Sequence, residues 1–199
     1  MNDKRITALM HVLKVLDTLH IERWICFGTL LGLIRDNDLI PWDTDLDIGV
    51  MSGIDRDLLI HIFKENDISL IDDGRGSDFL MFSHLDVRID INIFRHEGIK
   101  LVSLWSVPIL TGARGLVNRI VARAIRPKQP KLQFWTLEGY QLVWDHIFPL
   151  ASMNWHGIDL MVPRNSELAL AYTYGENWKT PMKDFNWRQD GAHNAYKKG

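Results

Sequence analysis

The sequence predicts an α+β fold, with strands and helices following one another in the first half of the chain and a helical C-terminal part. Apolar residues recur at helical spacing near the N-terminus, whereas two later segments alternate apolar and polar residues as half-buried strands do. From residue 134 onward the pattern is mostly helical and is punctuated by prolines. We therefore expect a sheet flanked by helices.

Composition indicates one ordinary globular domain. The 199 residues are 46% hydrophobic and 24% charged, which suffices for an enclosed core, so we expect a single domain over residues 1–199. The formal net charge of -2 gives no reason to expect a nucleic acid as partner. Cys26 is the one cysteine, which excludes an internal disulfide and a zinc site built from cysteines.

The first elements are predicted in close succession. Residues 24–27 form a short apolar run that ends at Gly28, as a buried strand would, and residues 29–35 then have the pattern of a helix. Before them, six apolar residues at helical spacing predict an amphipathic first helix: Ile6, Leu9, Met10, Leu13, Leu16 and Leu19.

Two further strands carry aspartates on their polar faces. Residues 46–50 alternate apolar and polar positions, so Asp45 and Asp47 leave the chain on the same face. Residues 87–94 alternate in the same way and place Asp90 on a polar face. The segments between them are predicted as a helix over 58–66 and a turn or mobile loop over 72–76.

The first two of these aspartates belong to an acidic stretch, residues 36–57, which has seven aspartates and no glutamate. A calcium loop would need a glycine and a glutamate where this chain has Ile48 and Ile54. A merely solvated acidic face is the second interpretation, although it does not require like charges side by side on a half-buried strand. The third is a divalent-metal site for phosphoryl or nucleotidyl transfer, in which the carboxylates of both strands hold one or two Mg²⁺.

The turn before the acidic stretch is suited to phosphate. Gly28 and Thr29 stand at the predicted start of a helix, where unpaired backbone N–H groups and the helix dipole favour an anion. Arg35 lies further along the same helix and could add a bidentate contact to phosphate oxygens. The order of Gly-Thr turn, Asp-x-Asp strand and single-Asp strand therefore favours phosphotransfer chemistry.

These motifs resemble a known family. Residues 27–35 (Phe-Gly-Thr-Leu-Leu-Gly-Leu-Ile-Arg) and 40–48 (Ile-Pro-Trp-Asp-Thr-Asp-Leu-Asp-Ile) closely resemble the hallmark of the LicD/fukutin family, phosphotransferases of the nucleotidyltransferase superfamily. Residues 174–178 (Tyr-Gly-Glu-Asn-Trp), ahead of Pro181, look like the family's C-terminal element. The resemblance spans about residues 5–185, which we take as the core of the domain.

The resemblance implies a nucleotidyltransferase-like mixed sheet and a specific reaction. A phosphorylated alcohol, either phosphocholine or a phospho-alditol, would pass from a CDP-linked donor to a hydroxyl of a cell-surface glycan or a lipid-linked saccharide. By motif position, Asp45 and Asp47 are the expected ligands of Mg²⁺ (or Mn²⁺), and Asp90 is the third carboxylate and our candidate for accepting the hydroxyl proton. Thr44 stands where an aspartate is common in bacterial members.

Two other functions fit the same residues. A nucleotidyltransferase would move NMP from an NTP to a small molecule or protein and release pyrophosphate. A non-catalytic carbohydrate- or choline-binding module would use aromatic faces instead. Trp42 adjoins the aspartates and Trp178 lies in the C-terminal motif, so we expect both in the donor site, whereas the other six tryptophans are expected to serve packing.

The chain is expected to be cytoplasmic or to act at the inner face of the membrane. No apolar run approaches the roughly 20 residues of a membrane-spanning helix, and the N-terminal segment lacks the pattern of a signal peptide. Residues 114–131 contain six cations and no acid beside a helical apolar stripe. This segment could contact an anionic membrane surface, or it could be a core helix with a solvated cationic face.

Overall fold

The computed structural model describes residues 3–74, 77–108, 114, 135–186 and 190. Its helices are α1 (Lys4–Thr18), α2 (Phe27–Asp36), α3 (Arg56–Glu65), α4 (Trp144–Ile147) and α5 (Ser166–Tyr174). Its strands are β1 (Arg23–Ile25), β2 (Asp45–Met51), β3 (Ser69–Asp72), β4 (Phe79–His84), β5 (Val87–Glu97), β6 (Lys100–Pro108), β7 (Trp135–Val143), β8 (Leu150–Trp155) and β9 (Ile158–Pro163).

The central sheet is mixed, which confirms the predicted α+β class. Five strands follow the order β1-β2-β5-β4-β3, and β6 extends the far end of β5 and pairs with β7. Strands β2 and β5 run parallel, whereas the pairs on either side of them are antiparallel. Helices α1 and α2 pack on this sheet through a continuous apolar core. The parallel pair at the centre carries the predicted carboxylates.

Local sequence signals explain the helices that flank the parallel pair. Asp3 caps α1 by accepting a hydrogen bond from the Arg5 N–H, and Asp55 caps α3 by accepting one from the Leu58 N–H. The Arg5 guanidinium also donates to the carbonyl oxygens of Ile40 and Asp43, at 2.7 and 3.0 Å. The start of α1 is thereby tied to the loop that enters β2.

The C-terminal part is not mostly helical, contrary to the expectation for residues beyond 134. Strand β7 and the hairpin β8–β9 lie there together with the short α4 and with α5. His156 and Gly157 both have positive φ and join Trp155 to Ile158 as a two-residue hairpin loop. Short apolar runs on both sides of such a dipeptide predict strands. The same short runs also fit a helical spacing, which is why the sequence pattern beyond residue 134 indicated helix.

The predicted basic segment, residues 114–131, lies outside the described residues except for Arg114. Among the helices that are described, none is long and apolar enough to cross a membrane. The other predicted helices and strands are found with small shifts: α2 begins at Phe27 rather than at residue 29, and β1 ends at Ile25. Of the turn predicted over 72–76, Asp72 ends β3, and residues 75 and 76 lie outside the described residues.

Candidate active site

The parallel pairing of β2 with β5 places the predicted carboxylates side by side. In the register of the two strands, Asp45 lies opposite Arg88 and Asp47 lies opposite Asp90. Because alternate residues of a strand share a face, all four side chains leave the same face of the sheet. Two strands that are about 40 residues apart in the sequence thus form one acidic centre, which also contains Arg88.

The start of α2 holds Asp47 in place. The Gly28 N–H donates to Asp47 Oδ2 at 3.1 Å, and the Asp47 N–H donates to Thr29 Oγ1 at 2.8 Å. The Cys26 N–H donates to the Asp47 carbonyl oxygen at 3.2 Å. The Gly-Thr turn, which the sequence suggested as a phosphate site, therefore positions a carboxylate in this structure.

Asp43 joins this centre, although sequence reasoning had not assigned it a role. A Cβ atom placed on Gly28 would lie 2.5 Å from Asp43 Oδ2 and 3.3 Å from Asp47 Oδ2, so both carboxylates converge on the face of α2 where the glycine stands. Only a residue without a side chain allows this approach. Asp43 continues the spacing of two residues from Asp45 and Asp47, which was the available signal.

The environment makes these carboxylates hard to ionise. Burial raises the pKa of Asp47 well above its ordinary value, and the charges of Asp90 and Asp43 raise it further. Burial also raises the pKa of Asp90 to about 6, despite the opposing effect of the Arg88 cation. The pKa of Asp43 is raised by burial as well. A bound cation would relieve this accumulation of negative charge.

The donor atoms suit a hard divalent cation, although they are not arranged as a finished metal cluster. Asp90 Oδ1 is buried and has no hydrogen-bond partner among the described residues, which is costly unless another group binds it. Over the ranges that the structure describes, no three acidic, histidine or cysteine side chains converge as ready ligands. The Arg88 Nη2 group instead pairs with Asp45 Oδ2 and lies 3.2 Å from Asp90 Oδ2.

A pocket of about 310 Å³ is lined by Gly28 and Asp43, whereas Asp45, Asp47 and Asp90 are not among its described lining residues. It brings together four of the residues predicted to bind the donor: Gly28, Arg35, Trp42 and Trp178. Trp42 is 40% exposed, whereas Trp178 is 6% exposed and forms part of the core. The guanidinium of Arg35 is paired with the adjacent Asp36 at 2.7 Å. Thr29 lies behind the pocket and is buried.

Tyr174 is a second residue of this pocket that sequence reasoning left without a role, even though it opens the C-terminal motif. Burial raises the pKa of its phenol well above the ordinary value, and the nearby charges of Asp47 and Asp43 act in the same direction. The hydroxyl therefore stays protonated and is available as a hydrogen-bond donor at neutral pH.

Residues 20–95 match the family model described as LicD/FKTN/FKRP, nucleotidyltransferase domain. This part of the chain is a LicD-family domain. It contains the turn at the start of α2 and both strands of the acidic centre. The wall of the pocket formed by Tyr174 and Trp178 lies beyond the matched range.

The similarity of this chain to known proteins reaches beyond residues 20–95. The chain is 25% identical over 190 residues to the ribitol-5-phosphate transferase FKTN of Mus musculus, which covers 93% of this chain and 35% of that protein. A match of 42% identity over 40 residues to the ribitol 5-phosphate transferase FKRP of Homo sapiens covers 20% of this chain and 8% of that protein. The chain thus spans about a third of the length of the FKTN proteins that it matches.

Among solved structures, the antibiotic-resistance factor ANT(2'')-Ia is similar at a TM-score of 0.40 and 13% identity, over 66% of this chain and 79% of that one. This similarity is too low to bear on the function of the LicD-family domain.

Proposed function

We propose that this chain transfers a phosphorylated alcohol from a CDP-linked donor to a hydroxyl of a glycan or its precursor, with the help of Mg²⁺ or Mn²⁺. One observation carries the proposal: buried carboxylates from β2 and β5 form an acidic centre whose Asp47 accepts a hydrogen bond from Gly28, and Gly28 and Asp43 line a pocket of about 310 Å³. The names of the FKTN and FKRP relatives, which are ribitol-phosphate transferases, support the same class of reaction.

In the proposed reaction, the acceptor oxygen attacks the phosphorus that carries the alcohol, the bond from this phosphorus to the CMP oxygen breaks, and CMP leaves. A divalent ion held by Asp45, Asp47 and Asp90 would supply neutralisation of the donor diphosphate and of the departing CMP. Asp90 would accept the hydroxyl proton; its pKa of about 6 in the metal-free chain means that it is mostly ionised at neutral pH.

The pocket favours a phospho-alditol over phosphocholine. A quaternary ammonium group binds to aromatic faces that are free of other cations. The Lys179 ammonium lies 5.1 Å from the centre of the Trp178 ring, although Lys179 itself is not a lining residue of the pocket. Arg35 and Lys183 do line the pocket, where they would repel a cationic ligand but suit phosphate and hydroxyl groups. Trp42 keeps an exposed face on which a nucleobase could stack.

A thermal-shift panel tests the proposal. The chain would be melted in the presence of Mg²⁺ with CDP-ribitol, CDP-glycerol, CDP-choline, UTP or ATP in turn. We expect the two CDP-alditols to raise the melting temperature most, since both the diphosphate and the hydroxyl groups find partners. Stabilisation by UTP or ATP alone would instead favour a nucleotidyltransferase that moves NMP. Stabilisation by CDP-choline above the alditols would contradict the choice of donor.

A further inference from the structure

We propose that the Arg88 guanidinium is a built-in counter-cation of the active site, and that a divalent metal binds by displacing it from Asp45 and Asp90. The inference rests on the metal site of the proposed function and assigns a role to a residue that no motif singled out. Arg88 would act on the metal through the two carboxylates, so it is a positioning residue.

The position of Arg88 follows from the strand register. It lies opposite Asp45 on the parallel neighbour and two residues before Asp90 on its own strand, so the three side chains share one face. Its Nη2 group pairs with one oxygen of each aspartate. The Nη2 group carries two N–H donors, so this one nitrogen can bridge the two carboxylates.

Charge explains why the site needs such a group. The side chains of Asp45 and Asp90 are only 15% and 9% exposed, and Asp47 adds a third carboxylate next to them. Without a cation, these groups would repel one another in a poorly solvated place. Arg88 supplies the one guanidinium that pairs with Asp45 and Asp90 among the described residues.

The arrangement also makes Arg88 displaceable. Its own side chain is 42% exposed, so the long stem can move outward into water. The metal is expected to bind the same two carboxylates, Asp45 and Asp90. Because a divalent ion and the Arg88 guanidinium held by one pair of carboxylates repel each other, the two compete.

Arg95 offers a matched control. It lies on the same strand, is 41% exposed and pairs with Asp78 at 2.8 Å, away from the acidic centre. Replacing either arginine by glutamine removes one half-exposed guanidinium and its ion pairs with two carboxylates. Only Arg88→Gln should change the binding of a metal at the aspartates.

The test is a Mn²⁺ titration of the metal-free chain, followed by electron paramagnetic resonance or calorimetry, on the wild type, Arg88→Gln and Arg95→Gln. We expect Arg88→Gln to bind Mn²⁺ about five- to tenfold more tightly than the wild type, and Arg95→Gln to match the wild type. In EDTA, Arg88→Gln should melt at a lower temperature than the wild type. Mn²⁺ should raise the melting temperature of Arg88→Gln by more than it raises that of the wild type.

The outcomes separate this inference from the proposed function. Unchanged or weaker Mn²⁺ binding by Arg88→Gln would overturn the competition while leaving the metal site standing. Absence of Mn²⁺ binding in every variant would overturn both. If Arg88→Gln does not fold in EDTA, Arg88→Lys decides: an affinity between those expected for the wild type and for the glutamine variant supports displacement, and an affinity at or below that of the wild type contradicts it.

Discussion

Replacing Asp90 by asparagine should make the metal-free chain more stable near neutral pH while abolishing transfer. Asp90 as a whole residue is 6% exposed, and the pKa of its carboxyl in the folded chain is about 6 against an ordinary value of 3.8. The difference corresponds to about 3 kcal/mol of folding free energy lost when the group ionises. Asparagine has nearly the same shape and cannot ionise, so the variant avoids this loss.

The dependence on pH identifies the cause. The folded chain keeps the Asp90 proton over a range of pH in which the unfolded chain has already lost it. The contribution of Asp90 to stability is therefore largest below the ordinary pKa of 3.8, falls as pH rises to about 6, and stays low above that value. The advantage of Asp90→Asn should thus be about 2 to 3 kcal/mol near neutral pH and vanish at acidic pH.

Urea denaturation in EDTA at a series of pH values measures this difference. Asp86→Asn is the matched control, because the Asp86 side chain is 92% exposed and lies at the surface, and it should change stability by less than about 0.5 kcal/mol. An Asp90→Asn variant that is less stable than the wild type near neutral pH, or one whose advantage does not depend on pH, would refute the reasoning.

Substitutions at four further positions probe the groups around Asp47 and the pocket. Gly28→Ala places a Cβ 2.5 Å from Asp43 Oδ2, so transfer should fall sharply while circular dichroism stays native, and unchanged turnover would contradict the role of this approach. Thr29→Val leaves the Asp47 N–H without its Thr29 acceptor and should lower the free energy of unfolding, measured by chemical denaturation, by about 1 to 3 kcal/mol. Thr29→Ser keeps a hydroxyl acceptor and should restore stability. Trp178→Ala should lower the free energy of unfolding by about 3 to 5 kcal/mol, because Trp178 belongs to the core. Trp42 is more exposed, so Trp42→Ala should leave the melting temperature unchanged and weaken donor binding measured by calorimetry. A destabilised Trp42→Ala together with a stable Trp178→Ala would argue against the two assigned positions.

The sequence was sufficient where the signal is local. Residues 46–50 of β2 and 87–93 of β5 alternate apolar and polar residues, so both strands and the face of Asp47 and Asp90 could be predicted. The C-terminal hairpin shows the limit of the same method. Its strands have six residues each, too few to distinguish alternation from a helical pattern without the turn at His156 and Gly157.

Which residues meet in the active site depends on the pairing of strands that are distant in the sequence. Nothing in the sequence near Arg88 shows that this residue will lie opposite Asp45, because the register of β2 with β5 is fixed by the core beneath them. Asp43 and Tyr174 join the site for a similar reason, since α1 ties down the loop at Asp43 and α5 ends at Tyr174 beside it. Sequence motifs could therefore name candidate ligands but not the cation that already pairs with them.

The identity of the nucleotide product tests the central claim most directly. The chain would be incubated with CDP-ribitol or CDP-glycerol and Mg²⁺, with a glycan hydroxyl or water as acceptor, and the products separated by ion-exchange chromatography. The proposed reaction predicts release of CMP that stops in EDTA and in the Asp47→Asn variant. Release of pyrophosphate from an NTP, with no CMP formed from any CDP-alditol, would contradict it.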